Sequence, residues 1–193
     1  VLNETRDVYF LEDNEIVVLT KDSVKILSKD GEEVKRDVYH VTWNADAAEK
    51  GGYAHFMLKE IFEQPKATKA TMTSRIALGK DITLDKINLT TEQIKNFSKI
   101  YIVACGTAYH AGLVGKYAIE KIAKIPVEVD IASEFRYRGP LINEKTLMIV
   151  ISQSGETADT LAAMRLAKEK GARVIAVTNV VGSTVSREAH DVL

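Results

Sequence analysis

Small hydroxyl residues and a glycine are concentrated at residues 152–157, which read Ser-Gln-Ser-Gly-Glu-Thr. An apolar run, Thr146 to Ile151, comes before them, and a segment of helical character, Ala158 to Lys170, follows. A turn of this kind presents backbone N–H groups and hydroxyls at the positive end of a helix dipole, where an anion is favoured. The glycine lets the backbone approach a ligand closely. The sequence therefore predicts an anion site here, with phosphate as the favoured ligand.

The same residues exclude two common phosphate-binding motifs. No Gly-Lys-Ser/Thr element is present, so the turn is not the P-loop of nucleoside triphosphatases. It is not Gly-x-Gly-x-x-Gly either, which disfavours a dinucleotide. A simpler interpretation also stands beside ligand binding, because hydroxyls at Ser152, Ser154 and Thr157 are residue types that often only cap a helix. The motif alone leaves both interpretations open.

Composition narrows the class of protein. The 193 residues carry a net charge of −1, which gives no electrostatic reason to expect nucleic acid or an anionic membrane as a partner. The single cysteine, Cys105, excludes an internal disulfide framework and is consistent with a cytoplasmic location. No apolar run is long enough for a transmembrane helix, and no signal peptide opens the chain. The four histidines show no metal-ligand spacing.

The first part of the chain, residues 1–43, is predicted to be rich in β-strands. Short β-branched runs occupy 15–20 and 23–28, an alternating run occupies 37–43, and an earlier strand is possible at 8–11. Four short strands cannot close a core alone, so their second layer is expected to lie outside this chain.

The next segment is predicted to be helical. A first helix at 53–63 is expected to stop at Gln64-Pro65, and a second helix is expected at 66–78. Further on, Thr90 or Thr91 can cap a short helix that runs through Phe97, with Gln93 placed for a capping box.

From Lys99 the pattern indicates a doubly wound α/β fold, that is, a parallel sheet flanked by helices. Four strands and two helices are predicted, and residues 191–193 look like the start of a fifth strand. The strands are 99–105, 126–131, 146–151 and 173–178; the helices are 108–124 and 157–170. In the first helix, Ala111, Val114, Ala118 and Ile122 form an apolar stripe that is expected to face the sheet. Gly112 and Gly115 are expected to let the same helix pack closely on the sheet.

Ligands of such sheets bind beyond the carboxyl ends of the strands, where the strand order reverses. The first and third strands end in Cys105-Gly-Thr and Ser152-Gln-Ser-Gly, so both loops are predicted to face one crevice. Cys105 is interpreted as a wall of this crevice rather than a nucleophile, because no base is identifiable beside it. Glu156 has the wrong sign for a phosphate ligand and is expected to complement the dipole of the helix that follows.

Three blocks of sequence resemble one enzyme family, the isomerising glutamine–fructose-6-phosphate aminotransferases, also called glucosamine-6-phosphate synthases. The first block is Lys50-Gly-Gly-Tyr-Ala-His-Phe-Met-Leu-Lys-Glu-Ile-Phe-Glu-Gln-Pro65, which is the most specific of the three. The second is Ala104-Cys-Gly-Thr-Ala-Tyr-His-Ala-Gly112, and the third combines residues 132–138 with 152–160. The Ser-x-Ser-Gly-x-Thr turn alone indicates only a sugar isomerase (SIS) domain.

The resemblance implies that the chain is an internal fragment with three parts. Residues 1–43 would be the last strands of a type 2 glutamine amidotransferase (glutaminase) domain, 44–80 a helical linker, and 81–193 a truncated first SIS domain. The family's cysteine nucleophile, its Schiff-base lysine and its proton-transferring glutamate and histidine would all lie outside the chain. No catalytic residue is therefore assigned here, and the fragment alone is expected to be inactive.

Carried over by position, the resemblance implies one substrate site. Ser152, Gln153, Ser154 and Thr157 would hold the sugar phosphate, and the sugar end would be lined by Cys105, Gly106 and Thr107. Many family members have Ser where this chain has Ala108, so one hydroxyl contact would be absent or replaced.

The implied ligands are fructose 6-phosphate and glucosamine 6-phosphate. Glutamine would enter through the missing domain, the parent protein would be a homodimer, and no metal or organic cofactor is implied. The alternatives are a non-enzymatic SIS module that senses a phosphosugar, and a related phosphosugar isomerase or deglycase.

Overall fold

The structure is a computed structural model that describes residues 4–42, 49–73, 75–76, 82, 84 and 86–193. The chain divides into two compact units, residues 1–73 and 74–193. In the described ranges, none of the helices combines the length and the apolar character that crossing a membrane requires.

The first unit contains two small antiparallel pairs of strands. Strand β1 (Asp7–Val8) pairs with β4 (Tyr39–His40), and β2 (Ile16–Leu19) pairs with β3 (Val24–Leu27). Strands β2 and β3 lie within the predicted runs at 15–20 and 23–28. Strand β1 shares only Val8 with the run at 8–11, β4 is shorter than the run at 37–43, and Trp43 lies outside the described residues. The assignment of these strands to a glutaminase domain stays a prediction.

The helix that follows corrects one prediction. Helix α1 (Phe56–Thr73) continues through Pro65, whereas the sequence predicted two helices separated there. A proline removes one backbone N–H, but its fixed φ near −65° is itself a helical value. Residues with good helix propensity on both sides, such as Glu63 and Ala67, favour continuation. The predicted end at Leu78 lies outside the described residues.

The second unit opens with a capped helix, as predicted. Helix α2 (Thr91–Asn96) has Thr90 as its N-cap. The Gln93 backbone N–H donates to Thr90 Oγ1 at 3.1 Å, and the Thr90 backbone N–H donates to Gln93 Oε1 at 2.9 Å. Two N–H groups that the helix leaves unpaired are thus satisfied by the capping box.

A parallel sheet of five strands forms the centre of this unit, in the order β6-β5-β7-β8-β9. The strands are β5 (Lys99–Ala104), β6 (Val127–Ile131), β7 (Thr146–Ser152), β8 (Arg173–Thr178) and β9 (Asp191–Val192). The connecting helices are α3 (Gly106–Ala123), α4 (Ala132–Phe135), α5 (Ala158–Glu169) and α6 (Thr184–Glu188). The predicted α/β fold with a parallel, doubly wound sheet is confirmed, including the fifth strand.

Both faces of the sheet are buried, and side chains of alternate residues along each strand point to opposite faces. On one face, Tyr101 and Val103 of β5 belong to a cluster with Phe135 of α4 and Met164 of α5. On the other face, the cluster contains Ile100, Ile102, Val127, Leu147 and Ile175, with Ile119 of α3 packed against it. Burial on both faces explains why β5 and β7 are nearly continuous apolar runs.

Helix α3 contacts the sheet through a face that the apolar pattern did not predict. Val114 is 70% exposed and Ile122 is 81% exposed, and Ala111 and Ala118 are exposed as well. Gly112 faces the sheet instead, where an added Cβ would lie 2.9 Å from Ile102 Cγ2. The close packing predicted for Gly112 is therefore confirmed, whereas the apolar stripe, which was inferred from hydrophobic periodicity, does not face the sheet.

Candidate functional site

The strand order places two loops beside each other at the carboxyl edge of the sheet. The chain runs from β5 to β6 on one side and then crosses to β7 on the other, which makes the β5–β7 boundary the switch point of the sheet. Ala104 at the end of β5 is paired with Ile151 of β7. The loops that begin at Cys105 and Ser152 therefore leave the sheet next to each other.

The loop after β7 is ordered by its own hydroxyl groups. The buried Ser152 Oγ accepts a hydrogen bond from the Gly155 backbone N–H at 3.0 Å and lies 3.3 Å from Thr157 Oγ1. The exposed Ser154 Oγ accepts from the Glu156 backbone N–H at 3.3 Å. Gly155 has φ +68, a left-handed value that favours glycine. The turn is thus closed on itself before α5 begins.

The amino end of α5 is available to an anion. Thr157 is its N-cap, but its side chain makes no capping hydrogen bond within the described part of the chain. The bonds of Ser152 and Ser154 also stay inside the turn, so the simple capping interpretation does not describe these hydroxyls. Asp159 in the first helical turn pairs with Arg136 at 3.6 Å, which offsets its negative charge. Backbone N–H groups at a helix amino end bind phosphate-like anions well.

The loop after β5 contributes a thiol and a glycine. Cys105 is a free, half-buried cysteine at the N-cap of α3, and its Sγ lies 3.8 Å from Thr160 Oγ1. Gly106 has φ +57, and Thr107 is exposed. The contact with Thr160, a fully buried residue of α5, connects this loop to the other one. The sequence prediction did not include Thr160, although its spacing of three from Thr157 places both on one side of the helix.

Helix α6 holds the loop after β7 from a second direction. The Val185 backbone N–H donates to the Gly155 carbonyl at 3.0 Å, and the Thr184 backbone N–H donates to Glu156 Oε1 at 2.7 Å. Glu156 was expected to complement the dipole of α5, but its carboxylate lies at the amino end of α6. No local sequence signal links residues 28 positions apart, so this contact could be found only in the structure.

Gly155 is tightly enclosed as well. A Cβ at this position would lie 2.1 Å from Ser183 Oγ and 3.0 Å from Thr178 Oγ1. Both hydroxyls are buried, and neither has a hydrogen-bond partner among the residues that the structure describes. The sequence suggested glycine here for close approach to a ligand; the structure shows that close approach of Ser183 requires it too.

The connection from α6 to β9 contains two groups with shifted pKa values. Burial alone would raise the pKa of Asp191, but hydrogen bonds from Arg173 at 2.7 Å and from the Asn88 N–H at 2.8 Å outweigh it and lower that pKa. The pKa of His190 is lowered by burial and by the nearby charges of Lys168 and Arg173. His190 Nδ1 accepts a hydrogen bond from the Val174 N–H at 3.0 Å, so the ring is in its neutral form.

Other candidates lie apart from the switch point. Arg138 pairs with Asp130 of β6. No group of three His, Cys, Asp or Glu side chains suitable for a metal ion occurs in the described ranges. A cavity of about 500 Å³ lies at the carboxyl end of β8 and is lined in part by Val180, Val181 and Leu193. It shares Thr178 with the surroundings of Gly155 but not the loops at the β5–β7 boundary.

The fold and the candidate site together define the class of protein. The chain belongs to the SIS domain family, which matches residues 93–193. Across all 193 residues it is 75% identical to an isomerising glutamine–fructose-6-phosphate aminotransferase of Clostridium tetani and 67% identical to that of Clostridium acetobutylicum. The resemblance inferred from the three sequence blocks is thereby confirmed.

Comparison with solved structures also identifies an aminotransferase. The C-terminal domain of glucosamine-fructose-6-phosphate aminotransferase from Francisella tularensis is 46% identical, with a TM-score of 0.66, over 75% of this chain and 40% of that one. The chain spans about a third of the length of the curated relatives, 32% in both cases above.

Proposed function

We propose that this chain provides the phosphosugar-binding part of an enzyme that makes glucosamine 6-phosphate from fructose 6-phosphate and glutamine. The observation that carries the proposal is the 75% identity to such an aminotransferase over all 193 residues. That match extends through the linker block at 50–65, which an isolated phosphosugar sensor or isomerase has no reason to share. It is the reason to prefer the aminotransferase over those alternatives.

In the proposed site, the phosphate lies at the amino end of α5. Ser154 and Thr157 are the hydroxyl donors to it, because Ser154 is exposed and the Thr157 side chain leaves the helix end uncapped. Ser152 is buried and already bonded to the Gly155 N–H, so its role is to shape the turn. Gln153, which is exposed in the same turn, contributes its side-chain amide.

The sugar end of the proposed site is the loop after β5. Cys105, Gly106 and Thr107 line it, and the contact of Cys105 with Thr160 holds this loop next to α5. Ala108 stands in the first turn of α3 and offers no hydroxyl to the ligand. No residue of the chain is assigned a catalytic role.

The wider arrangement is also part of the proposal. Residues 1–43 end a glutaminase domain, 44–80 form the linker, and 81–193 form the first SIS domain. Among the described residues, strands β1 to β4 form two antiparallel pairs that are separate from the parallel sheet, which supports this division. Glutamine is the nitrogen donor, the complete protein is a cytoplasmic homodimer, and no cofactor is required.

Calorimetry on the complete protein that carries this chain tests the site. Hydrogen bonds to charged groups contribute roughly 1.5–3 kcal/mol, so Ser154→Ala and Thr157→Ala should each weaken fructose 6-phosphate binding about tenfold or more. Fructose without phosphate should bind far more weakly to the wild type. Thr91→Ala, which removes an exposed hydroxyl from α2, is the matched control and should leave binding unchanged.

If both site variants keep the wild-type affinity and the wild-type unfolding temperature, the turn has a structural role and does not bind the phosphate. Equal binding of fructose and fructose 6-phosphate would contradict the assignment of a phosphate to α5.

A further inference from the structure

A carboxylate inside a phosphate-binding turn is electrostatically unfavourable, and Glu156 occupies such a position. The structure shows where its charge is directed. Glu156 Oε1 accepts a hydrogen bond of 2.7 Å from the Thr184 backbone N–H, the first residue of α6. The side chain is therefore attached to a helix other than the one that its own turn begins.

This bond is one of several between the turn and the segment that follows β8. The Gly155 carbonyl accepts from the Val185 N–H at 3.0 Å, and the Gln153 carbonyl accepts from the Asn179 N–H at 3.3 Å. Gly155 also packs against Ser183 so closely that no Cβ fits between them. Glu156 contributes the only side-chain acceptor to this set among the described residues.

We propose that Glu156 is a positioning residue for the phosphate site: by bonding α6 through the Thr184 N–H, it holds the 152–157 turn in its binding conformation without touching the ligand. The proposal rests on the phosphate site described above. A turn held in its bound conformation loses less entropy when the ligand arrives, so bracing increases affinity. The acceptor oxygen of Glu156 is what stabilises the turn and so increases affinity. Its negative charge by itself repels a bound phosphate.

These two properties of Glu156 predict opposite effects, which makes the proposal testable. Glu156→Ala removes both the acceptor and the charge, whereas Glu156→Gln removes the charge and keeps an acceptor oxygen. In the complete protein, with glutamine saturating, Glu156→Ala should raise KM for fructose 6-phosphate about three- to tenfold, as for the loss of a helix-cap bond. Its kcat should stay within about twofold, and Glu156→Gln should stay near wild type. Glu169→Ala, an exposed glutamate of α5, is the matched control.

The donor can be removed independently of Glu156. Thr184→Pro deletes the backbone N–H, and proline is well tolerated at the first residue of a helix. Ser183 before it already has φ −64 and ψ 159, the extended backbone that a following proline requires. Thr184→Pro should raise KM as Glu156→Ala does, and the double variant should show no further increase, while Thr184→Ala keeps the N–H and should show no effect.

Each contrary result has a definite meaning. An unchanged or lower KM in Glu156→Ala overturns the bracing role, and so does an equal rise in Glu156→Ala and Glu156→Gln. Additive effects of Glu156→Ala and Thr184→Pro overturn it too. Ser154→Ala belongs in the same series: if its KM is unchanged, the phosphate site fails and this proposal with it. If only Ser154→Ala raises KM, the site stands and the bracing fails.

Discussion

The turns at 105–107 and at 152–157 leave neighbouring strands and look alike in the backbone. Each contains a glycine at positive φ, +57 at Gly106 and +68 at Gly155, and each begins a long helix. Their surroundings differ. A Cβ at Gly106 would meet nothing within 4 Å, whereas a Cβ at Gly155 would overlap Ser183 Oγ. The first glycine serves only the backbone conformation, and the second also serves the packing of α6.

The two turns differ in their internal bonds as well. The turn after β7 is closed by hydrogen bonds to Ser152 and Ser154 and is held by α6. The turn after β5 has one long side-chain contact, between Cys105 and Thr160. The turn proposed to carry the charged end of the ligand is thus the more rigidly supported of the two. Rigid support is needed where binding depends on several donors converging on one group.

The largest difference should appear when both glycines are replaced. Gly106→Ala adds only the strain of a left-handed alanine, about 1–2 kcal/mol in the free energy of unfolding. Gly155→Ala adds a collision with Ser183 to the same strain, for a total of about 3 kcal/mol or more. Urea unfolding of the two variants measures the difference. Similar losses would mean that Ser183 and α6 move aside easily, and that the turn is not braced.

A smaller difference should separate the two side chains that begin the turns. Ser152→Ala leaves the enclosed Gly155 N–H without its acceptor and should cost about 1–3 kcal/mol of stability. Cys105→Ala loses one weak contact and a half-buried sulfur, which should cost about 1 kcal/mol or less. Amide hydrogen exchange at Gly155 provides a local readout and should accelerate only in Ser152→Ala. Equal exchange rates in both variants would contradict the assigned role of Ser152.

The two turns should also differ in how much each contributes to ligand binding. Thr107 is exposed in the less supported turn and is placed at the uncharged sugar end. Neutral hydrogen bonds contribute about 0.5–1.5 kcal/mol, so Thr107→Ala should weaken fructose 6-phosphate binding only about two- to tenfold. Calorimetry beside Thr157→Ala checks the order of the two effects. A larger loss in Thr107→Ala would reverse the assignment of the phosphate and sugar ends.

Much of the fold followed from local patterns in the sequence. Three strands of the parallel sheet, β5, β7 and β8, are largely apolar runs of six or seven residues, and the capping box at Thr90 is a signal contained in four residues. In α3 the close packing of Gly112 was predicted, but the apolar stripe was wrongly expected to face the sheet, because close approach selects glycine there rather than a large apolar residue. The position of the two candidate loops followed from topology, since adjacent parallel strands end at the same edge.

The supporting contacts of the site could not be predicted in this way. Glu156 bonds to Thr184 and Gly155 packs against Ser183, pairs separated by 28 residues and joined only through the fold. A single sequence shows a carboxylate and a glycine in a turn, and both have adequate local explanations. Only the position of α6 reveals that these residues also have a distant partner.

The smallest effect should come from protonation of His190, which lies between α6 and β9. Neutral His190 accepts a bond from the Val174 N–H, and its pKa in the folded protein is lowered from 6.5 by burial and by Lys168 and Arg173. The unfolded chain therefore binds the proton first as pH falls below about 6.5, so this contribution is complete above that pH and is lost towards the lower folded pKa. Between pH 7 and pH 5, the thermal unfolding temperature should fall less steeply in His190→Gln than in wild type.

His110→Gln, a substitution in α3 of the same type, is the control for that measurement. The turn at 152–157 is bonded to α6, which precedes His190, so protonation of His190 should loosen that turn and leave the turn at 105–107 unchanged. A pH profile identical in wild type and His190→Gln would contradict the role given to the neutral ring.

The position of β5 between β6 and β7 has a consequence for folding of the chain during its synthesis. Its two neighbours in the sheet, β6 and β7, both come later in the sequence, and β7 is complete only at residue 152. About 50 residues must therefore emerge after β5, which takes about 2–10 s at ribosomal speeds of 5–20 residues per second. During that interval an apolar strand stays without its full set of partners. Capture by chaperones that recognise extended apolar segments should be strongest on nascent chains that end between β5 and β7.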